Sequence, residues 1–289
     1  AQRVLQYGEY AERSAGQVVD RALRWLKEQS GKPFFLWVHV FDPHTPYAPP
    51  APYKQRYAGR AYDGEIAYAD HELARLFEAV GQKAPREKTL TVVLADHGES
   101  LGDHGEFSHG VFLYDATLRI PLIMAGPGIP SGRRVKEQVR SIDILPTILD
   151  LVGVKPPSAV QGVSLVPAFS GRQLPATLSY AETLFPKMNM GWSELRAVRT
   201  NDWKYIQGPK PELYELSQDA GETRNVILDR PQVTQQLQAQ LRMAAGMDKG
   251  PEKVQTSLAD KRTMEQLKSL GYLSGFSPRQ FELTGQGID

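Results

Sequence analysis

Cysteine is absent from all 289 residues. Disulfides, thiolate metal sites and a cysteine nucleophile within this chain are excluded with it. An excess of charge is also lacking. The 34 basic and 33 acidic side chains leave a net charge of +1, so neither a basic nucleic-acid surface nor an acidic tail is expected. The apolar runs are short: "FFLWVHVF" falls far below the roughly 20 residues that span a bilayer, and no membrane segment is expected in this chain. No signal peptide is legible at the start. The chain opens on Ala1 rather than Met, and the natural N-terminus is expected to lie outside it. Histidine is scarce and one-sided. His39, His44, His71, His97, His104 and His109 are the complete set, and nothing beyond residue 109 carries an imidazole.

The length suits one large domain or two, and an apolar content of 41% is ordinary for a globular protein. Tyr7 to Gln29 has apolar residues at three-and-four spacing and predicts a helix, ended by Gly31 and Pro33. "PFFLWVHVF" predicts a strand buried on both faces. Five prolines from Pro43 to Pro52 then impose an irregular loop. Tyr62 to Val80 predicts an amphipathic helix with Ile66, Leu73, Leu76 and Phe77 on its apolar side. "TLTVVLA" and "IPLIMAGPG" predict further strands. "SIDILPTILDLVG" predicts a helix capped by Ser141 and closed by Gly153, and "ATLSYAET" a fourth strand. This alternation implies an α/β fold, a mainly parallel sheet flanked by helices. After Gly191 the texture changes. "ELRAVRT", "WKYIQG" and "ELYELSQ" predict a small antiparallel meander, with "PQVTQQLQAQLRMAA" as a helix lying against it. The expected division is 1–190 for the larger α/β part, 191–250 for the small antiparallel subdomain, and 251–289 for a helix and linker.

Asp96, His97 and Gly98 follow "TLTVVLA", and open parallel sheets take ligands at the carboxyl ends of their strands. Gly98 permits a sharp turn. A carboxylate beside a neutral imidazole is a sound pair of ligands for a divalent cation. A polar strand-to-loop turn is the alternative. His44, in "FDPHTPY", also follows a predicted strand. A proline-braced loop suits a proton donor or an anion contact, the alternative being a surface histidine bonded to a backbone carbonyl. His109 is the third candidate. His104, in an acidic loop, and His71, on a helix, are weaker ones, and His39 reads as a core histidine of its strand. Histidine crowds here because two strand ends and the loops leaving them form one polar site.

These segments resemble the sulfatases of the alkaline-phosphatase superfamily. "FFLWVHVFDPHTPYAPP", "YDGEIAYADHELARLF", "VVLADHGESLGDHGEFSHG", "LYDATLRIPLIMAGPGI", "SIDILPTILDLVGV" and "QGVSLVPAF" stand in the family's order. "RAVRTNDWKYI" and "ELYELSQDAGETRNVI" are similar to its small C-terminal sheet, and the likeness runs from about residue 10 to 245. It implies hydrolysis of a sulfate ester on a sulfated small molecule or glycan. It also implies a divalent cation, calcium first and magnesium or manganese next, with Asp96 and His97 matching two of its ligands. The family nucleophile is a formylglycine made from a C/S-x-P-S-R motif. That motif is absent from these 289 residues, as is the early aspartate pair of the metal site. His44 matches the histidine that contacts sulfate or protonates the leaving oxygen. His109 stands near a lysine that binds sulfate in many members, and a neutral imidazole would hold an anion more weakly.

The expectation is therefore the second half of a sulfatase domain, inactive alone, from a periplasmic or membrane-anchored extracytoplasmic parent. A phosphodiester or phosphonate hydrolase, or a phosphoethanolamine transferase, shares the Asp-His-Gly pair. Two-metal relatives often place Asp-x-x-x-His ahead of it, and no such pair lies between Asp42 and Asp96. A noncatalytic interaction module is the alternative of another class. "MEQLKSLGYLSGF" resembles the linker joining some sulfatase-like domains to tetratricopeptide repeats. "TLFPKMNMGWSEL" either offers Met188 or Trp192 to a sugar or aryl ring, or packs on the small sheet. Oligomeric state is not legible.

Overall fold

In the computed structural model, which describes residues 13–29 and 31–247, the described residues divide into two units on either side of the boundary between Ala84 and Pro85. The expected helical residues Tyr7 to Glu12, and the helix and linker expected over 251–289, lie outside the described residues.

The first unit begins with α1 (Ala15–Glu28). Ser14 and Gln17 form a reciprocal capping box, which pairs two of the backbone donors that a helix start leaves open. Short α2 (Tyr53–Arg56) follows the proline loop, and α3 (Ala61–Lys83) packs along α1. Val19, Ala22 and Leu26 of α1 meet Leu76 of α3 in a small core, with Leu36 and Val38 against it. The buried stripe of α3 differs from the expected one. Ile66 and Phe77 are exposed, and the helix buries Glu65, Tyr68, Ala69, Glu72 and Leu76. Two glutamates sit inside because their carboxylates have donors there. Glu65 accepts from two loop amides, and Glu72 accepts from Arg75, which also reaches Asp20 of α1 at 2.7 Å.

"FFLWVHVF" is neither strand nor helix in the structure. Leu36, Val38 and Val40 turn toward the two helices, whereas Phe35 and Trp37 are each 80% exposed. The expected strand buried on both faces is thus corrected to a segment packed on one side. No ladder partner runs beside it among the described residues. His39 is exposed on the outer side, which corrects its reading as a core histidine.

In the second unit, β1 (Thr91–Leu94) pairs with β2 (Leu122–Ala125) in antiparallel register, Leu94 opposite Leu122. The strand pairs among the described residues are antiparallel rather than parallel. For β1 and β2 the connection explains it. A parallel return needs a crossover, usually a helix of a dozen residues or more. Residues 95–121 supply a 3₁₀ turn at Asp103–Gly105 and the four-residue α4 (Asp115–Leu118), and otherwise fold back as a loop. Beyond β2, a 3₁₀ turn at Ser141–Asp143 leads into α5 (Ile144–Leu151), and α6 (Val166–Phe169) follows. Ser141 does not cap the helix: it opens the 3₁₀ turn, whose Asp143 carboxylate accepts from Arg140 N at 2.9 Å. Gly153 does close the segment, at φ 72°.

β3 (Ser179–Thr183), β4 (Leu195–Arg199), β5 (Trp203–Gln207) and β6 (Glu212–Glu215) form a four-stranded antiparallel meander, with α7 (Phe185–Met190) between β3 and β4. α8 (Pro231–Ala244) covers one face, setting Leu237 and Leu241 against Val198, Tyr205 and Leu213. The other face buries Ala197, Ile206 and Tyr214 beneath Leu113. That second core joins the sheet to the chain just beyond the histidine loop.

Candidate functional site

At the end of β1 the chain reaches Asp96, His97 and Gly98. Gly98 N donates to Thr117 O of α4 at 2.7 Å, and a Cβ on Gly98 would lie 2.2 Å from Ala116 O. Only glycine permits this approach. The turn leaves Asp96 outward, its side chain 56% exposed, with His97 beside it. His97 Nδ1 lies 2.9 Å from Gly98 O. A carbonyl only accepts, so Nδ1 carries the hydrogen and Nε2 the lone pair. That is the tautomer of a metal-binding histidine whose other nitrogen is fixed by a backbone carbonyl. Nε2 is 3.8 Å from Asp96 Oδ1, so the two donors lie side by side.

Residues 99–112 fold back over this turn. The Glu106 carboxylate is buried and accepts from Val111 N at 2.8 Å and Phe112 N at 3.1 Å. Ser100 N donates to Ser108 O at 2.9 Å. These bonds bring the His109 ring onto His97, with centroids 3.9 Å apart. Glu99, whose side chain is 4% exposed, accepts from His109 Nδ1 at 3.2 Å. The His109 Nε2 edge is thereby turned away from the carboxylate. His104 takes a different place, stacked on Tyr114 at 3.5 Å.

Ion pairs hold α4 from behind. Asp115 pairs with Arg199 at 2.9 Å and with Lys204 at 2.5 Å, and Lys204 also meets Glu222 at 2.7 Å. Lys204 is fully buried. Burial works against ionisation of Asp115, but Arg199 and Lys204 hold its carboxyl below the ordinary value. Glu222, deeply buried, is pushed up by desolvation against the pull of Lys204. Tyr114 and Tyr214 both donate to Glu212, at 2.9 and 2.8 Å, and burial with that carboxylate raises both phenols.

Asp96, His97 and His109 thus come together in the second unit. His44 stands in the first, in the proline loop. Its amide donates to Glu65 at 3.0 Å and that of Ala48 to the same carboxylate at 2.6 Å. His44 Nδ1 faces Thr45 O at 2.7 Å, which leaves the lone pair on Nε2. Asp42 accepts from Ala15 N at the start of α1, and burial raises its carboxyl. His71 lies on α3 near Tyr53. Sequence reasoning singled out neither Glu99, Glu106 nor Glu65. For Glu99 and Glu106 the available signal was an acid close to the histidines within "HGESLGDHGEFSHG"; Glu65, on α3, carried none. Asp96 and the Nε2 of His97 fit a hard divalent cation as two donors. Among the described residues no group of three or more His, Cys, Asp or Glu side chains is set to hold one.

Comparison with known proteins adds to this geometry. The Sulfatase family model matches residues 2–154, and the model described as N-sulphoglucosamine sulphohydrolase, C-terminal, matches residues 102–247. The chain is 34% identical over 191 residues to arylsulfatase K of Homo sapiens, covering 62% of this chain and 35% of that protein. It is 29% identical over 148 residues to the delta 4,5-hexuronate-2-O-sulfatase of Bacteroides thetaiotaomicron, covering 49% and 31%. It spans about a third of the length of the curated relatives it matches. Among solved structures it resembles the phosphonate monoester hydrolase of Agrobacterium radiobacter, with TM-score 0.70, 22% identity, and 81% of this chain on 62% of that one. A protein solved with its substrate D-glucosamine-2-N,6-O-disulfate gives TM-score 0.69 and 19% identity, over 84% and 72% of the two chains. These likenesses carry the α/β fold expected from the sequence.

Proposed function

Because the chain belongs to the sulfatase family, we propose that it forms part of an enzyme hydrolysing sulfate esters of anionic saccharides. The observation that carries this reading is the cluster at the end of β1. Asp96 and the lone-pair edge of His97 lie beside a second imidazole, His109, whose far nitrogen is fixed by a buried carboxylate. The saccharide class is supported by the names of two similar proteins, one acting on a hexuronate sulfate and one bound to a glucosamine disulfate.

In this reading Asp96 and His97 hold a divalent cation, calcium being the best match for an exposed carboxylate site. With that cation bound, the site gains the Lewis acidity that polarises a sulfuryl oxygen. His109 binds a sulfate oxygen as an imidazolium, Nδ1–H directed to Glu99 and Nε2–H to the anion. His44, with Nδ1–H fixed on Thr45 O, is the proton donor to the leaving alcohol oxygen in its doubly protonated form, giving up the Nε2 proton and returning to the neutral ring. The nucleophile is assigned to the part of the relatives that this chain does not span.

The test is hydrolysis of an aryl sulfate by the whole protein with added calcium, beside an aryl phosphate and a phosphodiester. Preference for the sulfate is expected, with kcat/KM falling at least 10³-fold in Asp96→Ala, within the range for loss of a major electrostatic group. A protein that cleaves the phosphodiester and ignores the sulfate would sink the reading.

A further inference from the structure

We infer that α7 and the turn after it form a platform for the sugar ring that bears the sulfate, with Phe185, Met188 and Trp192 meeting its apolar face. The inference rests on the sulfatase reading for the ester that the site accepts. Its own footing is the anchoring of this segment to the histidine loop. Thr183 Oγ1, at the end of β3, donates to Gly110 O at 2.5 Å and accepts from Phe185 N at 3.2 Å. A Cβ on Gly110 would lie 3.9 Å from Phe185 Cγ. The first aromatic ring of α7 therefore stands against the residue that follows His109.

From that point the segment leads outward. Pro186 is buried and fixes the helix. Trp192 N donates to Pro186 O at 3.2 Å across Gly191, which adopts φ 70° and ends the helix. Met188 and Trp192 remain 48% and 59% exposed. Exposure of this degree argues against the loop merely packing on the small sheet. The fixed turn keeps both side chains open to a ligand beside the histidine loop.

A polar row borders the patch: Lys187 and Arg196 both pair with Glu194 at 2.7 Å. An aromatic face beside charged hydrogen-bonding groups matches a pyranose ring, which offers C–H faces for packing and hydroxyl edges for bonding. A purely apolar ligand would leave the row unmatched, and a free sulfate would have no use for the tryptophan. The occupant assigned is therefore the hexose or hexuronate ring of the ester.

The experiment uses the whole protein and two probes. Titration calorimetry with an unsulfated hexuronate–glucosamine disaccharide reads the platform. Inhibition of aryl sulfate turnover by inorganic sulfate reads the anion site. Trp192→Ala and Met188→Ala should each weaken disaccharide binding about ten-fold, equivalent to about 1.4 kcal/mol, and Trp192→Phe should restore most of it. Inhibition by sulfate should stay constant across all three. Unchanged disaccharide affinity in both alanine variants overturns the inference and leaves the sulfatase reading standing. So does a wild type that cleaves aryl sulfates without binding the disaccharide. A change of oligomeric state in Trp192→Ala with the disaccharide affinity unaltered overturns it in favour of a protein contact. Disaccharide binding that depends on Trp192, in a protein that neither cleaves a sulfate ester nor responds to sulfate, supports the platform and removes the sulfatase reading.

Discussion

No side chain larger than hydrogen fits at Gly98, because the Ala116 carbonyl occupies the space. The obstacle is backbone, so it cannot rotate away. Gly98→Ala should shift the turn that carries Asp96 and His97, and calcium affinity of the whole protein, measured by titration, should fall at least ten-fold. Asp115 is held as tightly by charge. Its folded carboxyl lies below the ordinary 3.8, so its stabilisation is fully present above that pH and is lost as pH drops toward the folded value. Glu222, raised above 4.5, acts in the opposite sense and loses its contribution as pH rises past that figure. Asp115→Asn should therefore lower the unfolding free energy by about 3 kcal/mol at pH 7, since it removes the carboxylate that Arg199 and Lys204 share and leaves Lys204 with Glu222 alone. The difference between the two proteins in denaturant titrations should shrink as pH falls below the ordinary carboxylate value. A difference that persists there would show that the aspartate acts through shape rather than charge.

Each histidine loop is tied down by one buried carboxylate that accepts two amides. Glu65 of α3 holds His44 and Ala48, and Glu106 holds Val111 and Phe112. Glu106→Ala should leave two amides without their acceptor, at about 1–3 kcal/mol each. Hydrogen exchange should show Val111 and Phe112 opening far faster while amides of α8 keep their protection. Unchanged exchange at both residues would mean that the loop is held elsewhere. These clamps also mark where the sequence stops being readable. Helices, the meander and the end of β1 follow from apolar period and from glycine or proline punctuation, and Asp96, His97 and His109 could be grouped on that basis. Glu65, Glu99 and Glu106 could not, because burial of an acid is decided by distant amides and leaves no periodic mark. The same limit affects α3: Leu73 and Leu76 of its expected apolar side pack inward, but Ile66 and Phe77 are exposed while Glu65 and Glu72 are inside. It affects "FFLWVHVF" too: a strand exists only with a partner, and composition does not reveal whether one lies alongside.

For the molecule as a whole, exposure of Phe35, Trp37, Leu94 and Ile123 leaves apolar side chains in contact with water in both units, a liability for association. Phe35→Ser combined with Trp37→Ser should reduce light scattering by the 289-residue chain without changing its helical circular dichroism. The same chain, assayed alone with calcium, should show no aryl sulfate turnover, since covalent catalysis requires an activated nucleophile and the described residues offer two metal donors. Metal-dependent turnover lost in Asp96→Ala would overturn that expectation. The ties between the histidine loop and the meander bear on how such a site is inherited or rebuilt. Gly98 is bonded to α4, Gly110 to β3, and Asp115 to β4 and β5. A graft of "DHGESLGDHGEFSHG" into another scaffold would bring the imidazoles without the supports that orient them. The smallest transplantable cassette runs from β1 through α8. Recombination between relatives should accordingly keep that whole span from one parent, and crossovers inside it should give chains that fold poorly before they fail to bind metal.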